Sequence, residues 1–572
     1  MGKVSKLIYG VLFLCLFAVI ITCTCLNMIT GGAYLVFSII ILVIGCGLIF
    51  FNFKDKEKFK FEFLENKKWE ILSISIVTVV ACMLRFVCLS TIPNGMMADE
   101  WSMLYEAWSL ANYGIDRNGN SWPVYLVAWG SGQNALLTYL TIPFVLIFGM
   151  NAFSARIVMA ISSVITVVAS YFLVKKVTNK QNAFITMILL TILPWNLILG
   201  RFGLESNLLP CFLVLGVLFL VKSIKENHWW FVLSGFFFGL SLYSYALDFV
   251  FLPLFLIACY VCMFIKHKVN WKSFILGNLV LGMFALPLIL FVMVNFNIIR
   301  PFKLFNTFSI PKLSGLRPGA DGNFNVFTNI KNFFKIFIIQ NDNLPWNTIQ
   351  PFGFVYMLFV PYAIIGFINQ CKNIKENYKN NFEKFILTIW IFAGVMTSFV
   401  MSASSLNHFN CLLVPYVFLI AEGVVATAQN SRTFYIVIAV LCSIMFAMFS
   451  SVYYSSSRQN QTHSMYSQDL YIATKFAESI KKPTDTVVVC RGTSYIITLC
   501  ANKISPKVFS ETVEWAGSEI RSINSYKGYV FAENYLGDEN YIYILKRDSK
   551  WIENTNDWII KDCGDYLVYY KE

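Results

Sequence analysis

Asn134-Ala-Leu-Leu-Thr-Tyr-Leu-Thr-Ile-Pro-Phe-Val-Leu-Ile-Phe-Gly-Met150 is apolar enough to be a membrane span and short enough to be something else. The map of the chain depends on which it is, because one extra crossing inverts the side of every later loop. The run sits among 572 residues, 57% of them hydrophobic and 13% charged, whereas a soluble domain has roughly 45–50% and 25%. A soluble fold is therefore excluded. Other apolar segments long enough to cross about 30 Å of hydrocarbon fall at 7–27, 31–52, 70–91, 153–174, 182–199, 207–223, 229–246, 249–265, 273–295, 352–369, 385–401, 409–428 and 433–453, and then they stop. The first of these follows Lys3 and Lys6 but is too long for a signal-peptide core and has no small-residue cleavage site, so it reads as a retained span.

Charge arbitrates the ambiguous run. If 134–150 does not cross, Lys54 to Lys68, Lys175/Lys176/Lys180, Lys222/Lys225, Lys266/Lys268/Lys272 and Lys372 to Lys384 all share one side. The alternating short loops Met28–Gly31, Gly200–Ser206, Leu247–Asp248 and Ser402–His408 hold almost no lysine. The lysine-rich side is cytoplasmic, so 134–150 is expected to be an interfacial or re-entrant helix. Thirteen crossings then leave the N-terminus inside and the tail outside. This predicts a multi-pass protein of the cell membrane, built from about 13 transmembrane helices, with a small C-terminal extracytoplasmic α/β domain.

Three regions follow: 1–69, a transmembrane hairpin with a basic cytoplasmic loop; 70–453, the main membrane region, with long outer loops 92–152 and 296–351; and 454–572, the outer domain. The tail carries 14 Lys/Arg against 15 Asp/Glu, so the net +13 of the chain belongs to the membrane part. Asp469 to Ile480 has helical periodicity, and Thr486–Cys490, Tyr529–Phe531 and Tyr541–Leu545 read as strands. Of 15 cysteines, only Cys490, Cys500 and Cys563 lie in the tail, where no disulfide is expected. The rest sit mostly in apolar runs and show no zinc-type spacing.

The most informative polar stretch is Arg85…Pro93-Asn-Gly-Met-Met-Ala-Asp99-Glu100-Trp101, at the outer end of the third span. Adjacent carboxylates at a membrane surface read equally well as reacting groups or as the start of a solvated helix, with Asp99 capping and Glu100 favouring the positive end. A second acid, Glu205, follows Pro194-Trp195-Asn196…Arg201-Phe-Gly-Leu on the same predicted side. The structural alternative for it is an i,i+4 pair with Arg201.

An arginine late in a span, a proline, then Asp-Glu opening an outer loop resembles the first loop of GT-C glycosyltransferases, above all the protein O-mannosyltransferase and aminoarabinose transferase branch. The likeness runs through Arg156 and the basic turn Lys175-Lys176 to Glu205. It covers roughly residues 85–260 well and the later spans loosely. Two positions depart from that branch. Gly130-Ser-Gly-Gln-Asn134 stands where many members have His-Pro-Pro, and the second acid is Glu205 rather than the commoner aspartate.

The resemblance implies transfer of a monosaccharide from a polyprenyl-phosphate donor to a glycolipid, cell-wall polymer or protein acceptor at the outer face. Such chemistry needs a carboxylate base and cations for the departing phosphate. Asp99 is expected as base, with Glu100 and Glu205 orienting the acceptor; a divalent metal, if used, falls to Asp99 and Glu205. Arg85, Arg201, Tyr243, Tyr245, Arg300, Lys303 and His408 are expected to bind substrate. Phosphate contact is expected from at least one of Arg201, Arg300 or Lys303, since loop 296–351 is the one basic outer segment; His408 stands where the resembling family often has a basic residue near the lipid phosphate. Bland alternatives exist for several: interfacial tyrosines are the default membrane belt, and His408 reads as an interfacial histidine. Glu422, inside a span, is expected to hydrogen-bond a neighbouring helix. The partners implied are a lipid donor, membrane lipids and an unidentified acceptor, with no nucleic acid. A lipid-linked polysaccharide polymerase or ligase, and a transporter or flippase, are the rival readings.

Overall fold

The computed structural model describes residues 61–315, 325–399, 405–428, 431–492, 494–517, 522–552 and 555–571. The expected spans 7–27 and 31–52, the loop around Lys54, and Arg317 with Asp321 lie outside the described residues. Within them, seven helices are long and apolar enough to cross a membrane: Lys67–Phe86, Ala152–Val177, Glu205–Lys225, Asp248–Ile265, Trp271–Asn295, Leu406–Ala428 and Arg432–Tyr453.

Three expected spans form shorter or broken helices, and a fourth keeps its length of 17 residues but is shifted. The segment 182–199 is two helices, Lys180–Ile192 and Pro194–Leu199; Leu193 takes an extended conformation, as the residue before a proline prefers. The 229–246 segment is helical only over Trp230–Leu242. The segment 352–369 becomes a 3-10 turn, Met357–Phe359, followed by Val360–Lys372, and 385–401 becomes Phe382–Ser398. The pivotal run 134–150 forms Leu136–Phe148. Its 13 residues span about 20 Å at about 1.5 Å each, short of the hydrocarbon thickness. Trp230–Leu242 has the same length, so length alone does not separate the two.

Glycine lets the membrane helices approach closely. A Cβ on Gly366 would lie 2.0 Å from the Leu419 carbonyl oxygen, and one on Gly423 would lie 1.9 Å from that of Tyr362. The Val360–Lys372 and Asn410–Ala428 backbones therefore touch at two reciprocal points, as small-residue packing in membranes allows. Gly235 and Gly277 do the same for Trp230–Leu242 and Trp271–Asn295. Glu422 is bonded by Gln370 and lies 2.6 Å from Lys384, so it serves helix packing.

Two small hairpins shape the loops. Tyr125–Leu126 (β1) pairs with Gln133–Asn134 (β2), and Phe302–Leu304 (β3) with Phe308–Ile310 (β4), both antiparallel. Ser309 on β4 exchanges hydrogen bonds with Ser121 and Val124, which ties the two long loops together.

After Tyr453 the chain passes through Ser456–Met465 and Gln468–Ile480 into a seven-stranded sheet. Its strands are Val487–Cys490 (β5), Glu514–Trp515 (β6), Ile523–Tyr526 (β7), Tyr529–Ala532 (β8), Ile542–Lys546 (β9), Ile559–Cys563 (β10) and Tyr566–Tyr570 (β11), in the order β10-β11-β9-β5-β8-β7-β6. Fully buried β5 runs parallel to both neighbours, and the remaining pairs are antiparallel. The expected helix and three strands are present, and the sheet adds four more strands. Helix Tyr495–Asn502, between β5 and β6, faces the membrane part.

Candidate active site

Three arginines from three chain segments, two helical and one in the turn after Pro194–Leu199, build the platform under the loop 92–152. A helix ends with carbonyls that have no intrahelical partner, and the planar guanidinium fork suits them. Arg85 donates from Nη1 to the Thr191 carbonyl (2.9 Å) and from Nη2 to that of Leu190 (3.0 Å), closing Lys180–Ile192, and from Nε to Ser163 (2.8 Å). Arg201 gives its two terminal nitrogens to five carbonyls, those of Leu84, Arg85, Val87, Cys88 and Ile92, at 2.8–3.1 Å, closing Lys67–Phe86. Arg156 holds the Leu89, Pro93 and Gly95 carbonyls. All three are fully buried.

Glu100 completes this platform. Its Oε1 accepts from Arg156 Nε (2.9 Å) and from the backbone N–H of Gly203 (2.9 Å), while Oε2 accepts from Arg156 Nη2 (3.1 Å) and the Met97 N–H (3.2 Å). Neither charged side chain is exposed. Gly203 has to be glycine for this contact, because a Cβ there would lie 2.6 Å from the Ala155 carbonyl oxygen. Adjacent in sequence, Asp99 and Glu100 point to different surroundings: Glu100 down into the ion pair, Asp99 into a cavity.

That cavity, of about 120 Å³, is lined by Asp99, Trp129, Gln133, Leu204, Glu205, Ser206, Tyr245, Ser405, Asn407 and His408. Five chain segments converge on it. Asp99 enters from the first turn of Ala98–Tyr113, and Glu205 from the turn leading into Leu209–Lys225. Tyr245 follows Trp230–Leu242, and its ring stacks on His408 (centroids 6.1 Å apart, 21° between planes). Asn410 locks two of the segments together, donating to the Ser206 carbonyl (2.9 Å) and the Asn207 side chain (3.2 Å) while accepting from Trp195 (3.1 Å). Asp342, in the second long loop, accepts from the Leu406 N–H (2.9 Å), fixing the turn that carries His408.

Trp129, a residue the sequence did not single out, donates from Nε1 to Asp99 Oδ1 (3.0 Å). It stands in the loop of the β1–β2 hairpin, directly before Gly130-Ser-Gly-Gln-Asn134. Gly130 and Gly132 have φ of 82° and 84°, and a Cβ on Gly132 would lie 2.4 Å from the Tyr125 ring. These conformations belong to glycine. An aromatic residue followed by two glycines of a tight loop is the signal that points to it.

The other expected residues lie elsewhere. Arg85 and Arg201 are spent on backbone carbonyls, and Glu100 on Arg156. Tyr243 donates to the Phe284 carbonyl (2.9 Å). Arg300 and Lys303 are exposed on the β3 strand and the chain before it, outside the cavity lining. Asp248 is buried, accepting from Ser241 (2.5 Å). Among the described residues, no three His, Cys, Asp or Glu side chains stand together as metal ligands.

A second buried charge cluster lies behind Trp129. Arg117 Nε is 3.1 Å from Glu106 Oε1, the Arg117 N–H donates to Glu106 Oε2 (3.0 Å), and Asp116 adjoins them. Burial pushes the Glu106 carboxyl up to about 8, helped by the Asp116 charge and opposed by Arg117. Burial also raises Asp116, to about 6, against the hydrogen bonds it accepts from Asn118 and Asn120.

A helical membrane body, long loops meeting over a cavity at the helix ends, and a mixed sheet domain above define the GT-C class of membrane fold. Comparison with known proteins agrees. A family model described as dolichyl-phosphate-mannose-protein mannosyltransferase matches residues 134–294. ArnT from Cupriavidus metallidurans in the apo state has this fold, with a TM-score of 0.53 at 13% identity, over 88% of this chain and 97% of that one. ArnT from the same organism bound to undecaprenyl phosphate gives 0.52 at 13%, over 88% and 98%. The Archaeoglobus fulgidus oligosaccharyltransferase in its apo form gives 0.48 at 13%, over 76% and 64%. No curated protein matches the chain by sequence.

Proposed function

We propose that the chain is a membrane glycosyltransferase that moves a monosaccharide from a polyprenyl-phosphate carrier to an acceptor at the outer face of the cell membrane. The observation that carries this reading is the convergence of Asp99, Glu205, Tyr245 and His408 on one cavity, in a chain with the fold of ArnT. ArnT has been crystallised with undecaprenyl phosphate, which supports a lipid phosphate as the donor's leaving group. The outer side follows from the lysine distribution, and with it the assignment of 454–572 as an extracytoplasmic domain.

Asp99 takes the proton from the acceptor hydroxyl or amine as that atom bonds to the anomeric carbon. The bond from the anomeric carbon to the phosphate oxygen breaks, and the polyprenyl phosphate leaves with the electron pair. The indole N–H of Trp129 fixes the carboxylate, so the base is positioned before the acceptor arrives. Glu205 faces Asp99's cavity and orients the acceptor. His408, braced by Tyr245, receives the departing phosphate oxygen with a ring N–H. Among the described residues no three His, Cys, Asp or Glu side chains stand together as metal ligands.

The test is to incubate the purified full chain with radiolabelled polyprenyl-phosphate sugars and candidate acceptors, alongside Asp99→Asn. Loss of transfer in the variant supports the assignment. Transfer at the wild-type rate removes Asp99 as base, and no transfer from any carrier turns the reading towards transport.

A further inference from the structure

The outer sheet domain is keyed into the first loop at the point where that loop presents its base. Tyr495, 2% exposed at the start of Tyr495–Asn502, meets the Trp129 ring edge-on (centroids 5.5 Å apart, 75°). The Arg117 guanidinium lies 4.6 Å from the Trp129 ring centroid and 5.6 Å from that of Tyr495, so it packs against both. Such contacts with a desolvated cation hold aromatic rings in place. Trp129 in turn donates to Asp99. Further contacts seat the domain on the same helix: Trp101 stacks on Tyr471 (5.0 Å, 17°), and Tyr105 donates to the Ile504 carbonyl (2.6 Å).

We infer that the C-terminal domain is a positioning element for the base, acting through Tyr495, Arg117 and Trp129 on Asp99. Tyr495 is not among the residues lining the cavity, whereas Trp129, which it meets, is. Its effect passes through the indole. Arg117 is suited to the link because Glu106 accepts from its backbone N–H and lies 3.1 Å from its Nε, while its guanidinium lies over the two rings. This rests on the reading of Asp99 as the base, although the ordering of Trp129 is measurable without it.

The experiment uses the full-length protein in nanodiscs, comparing Tyr495→Leu, Tyr495→Phe and Trp129→Phe with wild type by amide hydrogen exchange and by the transfer assay. Tyr495→Leu is expected to speed exchange across Val127–Gly132 and the first turn of Ala98–Tyr113 while the membrane helices stay protected. Tyr495→Phe, which keeps the ring, is expected to behave as wild type. In turnover, Tyr495→Leu is expected to lower kcat roughly ten-fold, with KM for the lipid donor unchanged, since small misplacement of a catalytic group costs rate rather than binding. Added to Trp129→Phe it should cost nothing further, because the two act on one path. Exchange changes confined to 495–502, or additive losses in the double variant, would overturn the inference. An active Asp99→Asn with the expected exchange pattern would instead overturn the identity of the base and leave the keying of the domain standing.

Discussion

Two neighbouring carboxylates are expected to fail in opposite ways when each is replaced by its amide. In Glu100→Gln, a fully buried ion pair loses its negative partner. Four hydrogen bonds now end on Glu100, two from Arg156 and one each from the Gly203 and Met97 N–H groups. A glutamine keeps one acceptor oxygen and turns an NH2 towards donors, leaving Arg156 buried with carbonyls alone. Removing one member of a buried pair costs about 3–5 kcal/mol; the retained oxygen and the three carbonyls that Arg156 already holds place this case near about 3 kcal/mol. For a chain of this size that lowers the melting midpoint by about 2–3 °C. Asp99→Asn keeps an oxygen to accept from Trp129, so its melting curve is expected to overlay that of wild type while transfer falls by roughly 10²–10⁴. The assay is a thermal melt in detergent paired with turnover of a radiolabelled polyprenyl-phosphate sugar. If Glu100→Gln melts with wild type yet loses transfer, Glu100 acts on substrate and the platform argument is wrong. If Asp99→Asn still turns over, the base is another group.

The remaining expectations are briefer. His408→Ala removes one N–H to a charged oxygen, worth about 1.5–3 kcal/mol, and is expected to cut kcat/KM by roughly 10- to 100-fold with an unchanged melt; a wild-type rate would place the phosphate elsewhere. Glu106 is raised in the folded state to about 8 from an ordinary value near about 4.3, so the native protein binds more protons than the unfolded one. The stability this contributes is complete at low pH and is lost as pH rises through about 8. Glu106→Gln is expected to flatten that fall in melting midpoint between about pH 5 and about pH 8, and an unchanged slope would refute it.

Which parts were legible in the sequence follows from how local their causes are. The apolar runs announced helices, and β-branched runs such as Val487-Val-Val announced the central strand, because burial on both faces leaves a continuous hydrophobic signature. Strands at the sheet margins, such as Ile559-Ile-Lys-Asp-Cys563, alternate weakly and carry polar residues, so they left no such mark. Asp99, Glu205, Tyr245 and His408 were readable as candidates because each stands at the end of an apolar run. What Arg85, Arg201 and Glu100 do was not, since the partners that define their roles lie 56 to 117 residues away in sequence. An arginine near a span end reads as a phosphate ligand until the fold reveals which carbonyls need it. Trp129 was passed over because a tryptophan at a membrane surface has a ready default in the interfacial belt.

The fork-and-carbonyl contacts of Arg85 and Arg201 have an electrical side. A carbonyl oxygen satisfies an N–H without cancelling its charge, so both side chains remain cations inside the protein wall. Buried charge is shielded by salt far less than surface charge. The wall beneath the first loop thus sets the uncancelled charges of Arg85 and Arg201 against the carboxylates of Asp99 and Glu205 in the cavity above, a separation of opposite charge that the fold holds in place.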